Sequence, residues 1–137
     1  MIKDAVLYVD DDDSDVFLME RAWEEAGLQN ALHIVRDSQE AINYLSGKAQ
    51  FADRTAYPMA GFVLLDLKLP TMHGLQLLNW IRGHLATQAL PVIILSSSTT
   101  DRDIKATRML GITDYWVKSG ERSALVRMLA RLKESLL

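Results

Sequence analysis

The chain has no cysteine, which excludes disulfides and thiolate metal sites outright. It has no apolar run approaching the roughly 20 residues that a membrane span needs. Strand-forming residues begin close to Met1, which leaves no room for a signal peptide, so a soluble, cytoplasmic protein is expected. Positive charge is not in excess either: 15 Lys and Arg against 18 Asp and Glu give a net charge of -3. That argues against nucleic acid as the main partner, because neutralising phosphates takes clustered Lys and Arg. The basic residues of the last third, Arg122, Arg127, Arg131 and Lys133, are spaced around one helical stretch and read as its solvated face. Repeats, low-complexity tracts and a linker leading to a second unit are also missing. A chain of 137 residues is then one domain, 1–137, able to bury a core without staples.

What is present is organised around Gly61 to Gly74. Phe62 to Leu65 is a short apolar run that reads as a strand buried on both faces, and it delivers Asp66 at its C-terminal end. Pro70 bars further pairing, and Gly74 opens a new amphipathic stretch. Ligands of an open parallel sheet bind just outside the carboxyl ends of its strands. Alone, Asp66 is as readable as a turn or N-cap residue, so its neighbours decide.

Ala5 to Val9 reads as a buried strand ending in the acid run Asp10 to Asp13, Ser14, Asp15. Val16, Met19, Ala22, Trp23 and Ala26 then recur at helical spacing up to Gly27. Leu32 to Val35 is a second strand, followed by a helix that Asp37 or Ser38 caps and Gly47 closes. Lys48 to Met59 is polar and irregular, and is expected to be an exposed, mobile loop. A third helix is predicted from about His73 to Leu85 with Leu75, Leu78, Ile81 and Leu85 inward, and a fourth strand over Pro91 to Leu95 before the Ser96 to Thr100 run. Asp101 to Leu110 reads as a helix, Thr113 to Val117 as strand five, and Ser123 to Leu136 as a last helix with Leu125, Leu129, Leu132 and Leu136 inward. Five strands alternating with five helices imply an α/β, doubly wound parallel sheet with right-handed crossovers, a flavodoxin-like (βα)5 domain of strand order 2-1-3-4-5.

That topology puts Asp10, Asp11, Asp66, Ser96 and Lys118 on one rim. Three neighbouring carboxylates repel one another unless a cation neutralises them. A hard, oxygen-liganding ion is implied, and Mg²⁺ suits a site with few carboxylates and room for water and phosphate oxygens. With Lys118 to offset charge and Ser96 to donate a hydrogen bond, the rim forms a pocket for a phosphoryl group on Asp66. A calcium loop starting at Asp10 would need Gly at Asp15 and Glu at Arg21. Asp12, Asp13 and Asp15 therefore read as caps and dipole partners of the first helix. His33, His73 and His84 lack ligand spacing and read as ordinary residues.

Through Val9-Asp10-Asp11, the stretch Asp66 to Gly74, Pro91 to Ser96 followed by Ser97, and Tyr115 to Lys118, the chain resembles the receiver domain of two-component response regulators over essentially its whole length. The resemblance implies that Asp66 accepts a phosphoryl group from a histidine kinase. It implies that Asp11, Asp66 and the Lys68 carbonyl hold Mg²⁺, with Asp10 acting through metal-bound water. Lys118 pairs with the acceptor or its phosphoryl oxygen, Ser96 moves toward the phosphoryl group, and Tyr115 turns inward behind it, altering the surface of helix four, strand five and helix five. The Lys68 side chain, beside that site, reads as solvated. Ser119 replaces the usual proline after the lysine; a cis bond without proline costs about 3 kcal/mol, so a trans peptide is expected there. Ser96 in place of the commoner threonine keeps the hydroxyl. The long 48–59 loop, the Lys-Ser pair and the missing output domain resemble the stand-alone regulators of bacterial phytochrome kinases.

Two other classes compete. A haloacid-dehalogenase-type phosphatase also uses an Asp nucleophile, but it needs Thr or Val where Ser14 stands and a late acidic pair, whereas only Glu121 and Glu134 follow Lys118. An unphosphorylated adaptor has no need for mutually repelling charges. The protein is thus expected to be a switch and not an enzyme. A second apolar row on the last helix, Val126, Met128, Ala130 and Leu137, exceeds what one buried face requires and predicts a homodimer through helix four, strand five and helix five.

Overall fold

The computed structural model describes residues 5–70 and 72–135; expectations placed on Met1, Thr71, Leu136 and Leu137 lie outside the described residues. Strands β1 (Ala5–Val9), β2 (Leu32–Val35), β3 (Ala60–Leu65), β4 (Val92–Ser96) and β5 (Asp114–Val117) alternate with helices α1 (Asp13–Glu25), α2 (Ser38–Ser46), α3 (Gly74–Gly83), α4 (Asp101–Met109) and α5 (Arg122–Ser135). The strands pair in parallel in the order β2-β1-β3-β4-β5, as expected.

The period of two along each central strand divides the core. Val6, Tyr8, Phe62, Leu64, Ile93 and Leu95 face α1 and α5, meeting Met19, Trp23, Leu125 and Leu129. Leu7, Val9, Val63, Leu65, Val92 and Ile94 face the other way, onto Ala41, Leu45, Leu77, Leu78 and Ile81 of α2 and α3. Full burial of each large aliphatic side chain contributes about 1.5–3 kcal/mol, so β1, β3 and β4 are the rigid floor from which the rim residues project. The edge strand β5 is half-exposed instead of buried.

Caps fix where the helices start. Asp12 accepts the Asp15 N–H at 3.0 Å to open α1, and Asp37 accepts the Glu40 N–H at 2.8 Å to open α2. His73, ordinary by spacing, opens α3: its Nδ1 accepts the Leu75 N–H while Gln76 Oε1 accepts the His73 N–H.

One expectation is refined and one is corrected. The 48–59 loop is mostly exposed, as expected, but it is anchored. It holds a 3-10 turn, Ala49–Phe51, with Phe51 buried and packed with Tyr57 on Tyr44, and Arg54 donates to the Leu45 and Tyr57 carbonyls. Helix α3 stops at Gly83, because the Thr87 hydroxyl takes the Ile81 carbonyl at 2.7 Å and His84 is extended. Leu85 is therefore 86 % exposed, and Leu77 takes the inward place given to half-buried Leu75. Arg82 ties the ends of α3 and α4 together, donating to the carbonyls of Leu110, Gln88, Leu90 and Gly111.

Candidate functional site

Register brings the rim together. Val9 pairs with Leu65, and the Asp66 N–H donates to the Val9 carbonyl at 3.0 Å, so Asp10 and Asp66 leave the sheet side by side. Ser96 pairs with Val117, and the Lys118 N–H donates to the Ser96 carbonyl at 2.8 Å, which sets Lys118 on the same edge. Asp10 and Ser96 are fully buried, Asp66 is 4 % exposed, and Asp11 faces solvent.

Lys118 Nζ donates to Asp15 at 2.7 Å, to Asp10 at 2.9 Å and to Asp66 at 3.1 Å. Asp66 Oδ1 accepts the Lys68 N–H at 3.1 Å, leaving Oδ2 to Lys118. Asp10 is held at both oxygens: Oδ1 by the Asp12 N–H at 3.0 Å, Oδ2 by Lys118 and by the Tyr8 hydroxyl at 2.5 Å.

Electrostatics follows from burial and company. Burial pushes the Asp66 carboxyl above the ordinary carboxylate range, against the pull of Lys118 and the Lys68 N–H, and the Asp10 charge adds to the rise. Burial alone would lower the Lys118 pKa, but hydrogen bonds to Asp15 and Asp10 and the charges of Asp10 and Asp66 outweigh it, so the ammonium is held above the usual lysine value. Burial, then the Asp10 charge, raises the Tyr8 phenol and keeps it a donor.

One oxygen each from Asp10, Asp11 and Asp66 lies within 4.8 Å of the others. At that spacing and an effective dielectric near 20, each ionised pair repels by about 3 kcal/mol. One ammonium cannot balance three such groups plus Asp15. An all-oxygen donor set with one exposed member fits a hard divalent cation that keeps part of its water.

Asp10, Asp11, Asp66, Ser96 and Lys118 all stand at the C-terminal ends of their strands, and two contacts add to that arrangement. Ser96 Oγ accepts the Ser98 N–H at 3.2 Å, and the half-buried Tyr115 donates its hydroxyl to the Ser98 carbonyl at 2.9 Å. Ser98, whose own hydroxyl reaches Asp103 at 2.6 Å, thus links Ser96 to Tyr115. The peptide before Ser119 is trans, as expected, and Gly120 takes φ 76° in the loop that follows.

Three site residues escaped the sequence reading: Tyr8, Asp15 and Ser98. Tyr8 carried a usable signal, because residues two apart in a strand share a face and a buried phenol needs a partner. Asp15 stands in the first turn of α1, as its dipole role requires, and its carboxylate also grips Lys118.

The sequence profile described as "Response regulator receiver domain" matches residues 6–130. The response regulator Rcp1 of Synechocystis sp. is 27 % identical over 123 residues, covering 90 % of this chain and 82 % of that protein. The structure of the phosphorylated cyanobacterial phytochrome response regulator RcpA superposes with TM-score 0.85 at 28 % identity, covering 98 % of this chain and 93 % of the other. The Mn²⁺-bound form of Rcp1 gives 0.84 at 26 % identity, covering 99 % and 95 %.

Proposed function

The chain belongs to the response regulator receiver domain family, and from that premise we propose that it is a phosphorylation switch in which Asp66 takes a phosphoryl group from the phosphohistidine of a sensor kinase, with Mg²⁺ bound beside it. The observation that carries this reading is the near-complete burial of Asp66 at the tip of β3, 3.1 Å from Lys118 and clustered with Asp10 and Asp11. Mg²⁺ would be held by Asp11, Asp66 and the Lys68 carbonyl, with Asp10 behind, and would neutralise charge on the incoming group.

The chain's own residues do the rest. Asp66 Oδ2 is the nucleophile facing Lys118, while Oδ1 stays fixed by the Lys68 N–H. The P–N bond of the kinase phosphohistidine breaks as the Oδ2–P bond forms, and the nitrogen keeps the electron pair. Lys118 then meets a phosphoryl oxygen. Ser96 turns from the Ser98 N–H to donate to another, and the Ser98–Tyr115 bond transmits that turn to β5. Such a switch is modified once and does not turn over small substrates.

Likeness to RcpA, a phytochrome response regulator, supports a phytochrome-class histidine kinase as donor, and a cytoplasmic location is part of the same proposal. No described helix is long and apolar enough to cross a membrane. Met109 at 79 % and Val117 at 39 % exposure give α4 and β5 an apolar surface suited to a homodimer through α4, β5 and α5. In α5 itself, Val126 packs toward the core, and Met128 and Ala130 are half-buried. A monomeric mass by light scattering, with and without phosphorylation, would remove the dimer.

The test of the switch is titration with beryllofluoride and Mg²⁺ followed by Trp fluorescence. Saturable binding in the wild type and none in Asp66→Asn is expected. Equal binding in both, or multiple turnovers of phosphate release from small phosphomonoesters, would refute the switch.

A further inference from the structure

We propose that Asp15 is a positioning residue for Lys118: a competing acceptor that holds the ammonium when no phosphoryl group is present and so weakens the site's grip on one. The inference rests on the phosphoacceptor reading of Asp66 and extends it to a residue outside the motifs that define the site.

An ammonium has three protons, and Lys118 spends them on three carboxylates, the shortest bond going to Asp15. A phosphoryl oxygen arriving on Asp66 must therefore displace a partner. Asp10 can release Lys118 without being stranded, since Tyr8 and the Asp12 N–H remain on it. Asp15 can release it too: its side chain is 30 % exposed, so water can replace the ammonium. Tyr8, Asp15, Leu18, Ser119 and Leu125 line a small pocket together with Lys118.

The contact is fixed by rigid parts. Asp15 stands in the first turn of α1, whose start is pinned by Asp12, and Lys118 directly follows β5. Asp15 also adds negative charge beside the place where an anionic group must come to rest. Lost competition and lost repulsion act in the same direction, so removing the charge should tighten anion binding.

The experiment titrates beryllofluoride, an anionic phosphoryl mimic, into wild type, Asp15→Asn and Asp15→Ala at saturating Mg²⁺, read by Trp fluorescence, with a Mg²⁺ titration alone beside it. Both variants should reach half-saturation at about twofold to fivefold lower beryllofluoride, the worth of a partly exposed ion pair. Mg²⁺ affinity should stay level or weaken, because a negative charge has gone. A merely structural Asp15 would weaken both. Unchanged or weaker beryllofluoride binding in the two variants, with the wild type binding normally, overturns the role of Asp15. Failure of the wild type to bind in an Asp66-dependent way would instead sink the phosphoacceptor reading and this inference with it.

Discussion

An ideal Cβ built on Gly74 would lie 2.4 Å from the Asp66 carbonyl oxygen, 2.6 Å from Leu67 Cα and 3.1 Å from the Asp66 carbonyl carbon. All three are backbone atoms, which cannot swing aside as a side-chain tip can. The Gly74 N–H also donates to the Leu67 carbonyl at 2.8 Å, so the start of α3 is pinned against the loop that carries Asp66. Over-packing of this kind costs about 1–3 kcal/mol, and immovable neighbours place Gly74→Ala near the top of that range. The helix propensity gained by alanine returns at most about 1 kcal/mol, leaving a net loss of about 2 kcal/mol. At the far end of the same helix, Gly83 has no heavy atom within 4 Å of its would-be Cβ and no positive φ. Gly83→Ala should therefore gain about 0.4–1 kcal/mol by restricting the unfolded chain. One methyl at either end of α3 should thus separate two variants by about 3 kcal/mol in urea denaturation with matched slopes. Because the crowded atoms belong to Asp66 and Leu67, Gly74→Ala should also lose much of the Mg²⁺-induced stabilisation that Gly83→Ala keeps. Equal midpoints for the two variants, or a shift of both in the same direction, would refute the steric reasoning.

Three further outcomes are expected. Since burial raises the Asp66 pKa, the folded chain holds that proton more tightly than the unfolded one; stability therefore falls as pH climbs from the ordinary value of 3.8 through the higher folded one, and the cost is complete above the folded value. Asp66→Asn should raise metal-free stability at neutral pH by on the order of 1 kcal/mol, a gain that shrinks in acid; denaturation across pH without Mg²⁺ checks it, and no gain at neutral pH counts against the burial cost. Tyr8→Phe removes a donor from a buried carboxylate and should cost about 1.5–3 kcal/mol in thermal or urea melts, and a neutral result would mean that Lys118 and the Asp12 N–H suffice for Asp10. Arg82→Ala releases four carbonyls, two at the end of α4 and two in the connection from α3 to β4, and should cost roughly 2 kcal/mol or more; a change below about 0.5 kcal/mol would mean that water satisfies them equally well.

The legible parts of this fold were those set by short-range periodicity. Phe62 to Leu65 and Val6 to Val9 alternate between two buried faces, so their apolar runs mark central strands, and a strand that ends in an acid marks a rim. Leu85 continues the helical spacing of α3 beyond the point where Thr87 closes the helix, and a side-chain cap six residues on is invisible to periodicity. The 48–59 loop misled for a related reason: its polar composition hides Phe51 and Tyr57, whose partner Tyr44 lies on the preceding helix. The acid run after β1 is the sharpest case. Asp12 and Asp15 stand three residues apart with the same chemistry, yet Asp12 spends its carboxylate on a backbone N–H of its own helix, and Asp15 meets an ammonium 103 residues away. Local physics predicts a cap for both, since each lies at a positive helix end. What separates them is the crossover that carries β5 to the edge beside β4 and sends Lys118 back across the rim to Asp10. An acid of α1 can reach Lys118 only from the side of the helix turned toward that rim. Asp15 is on that side, which is why the loss of its charge should be felt at Asp66 and not only in the stability of α1.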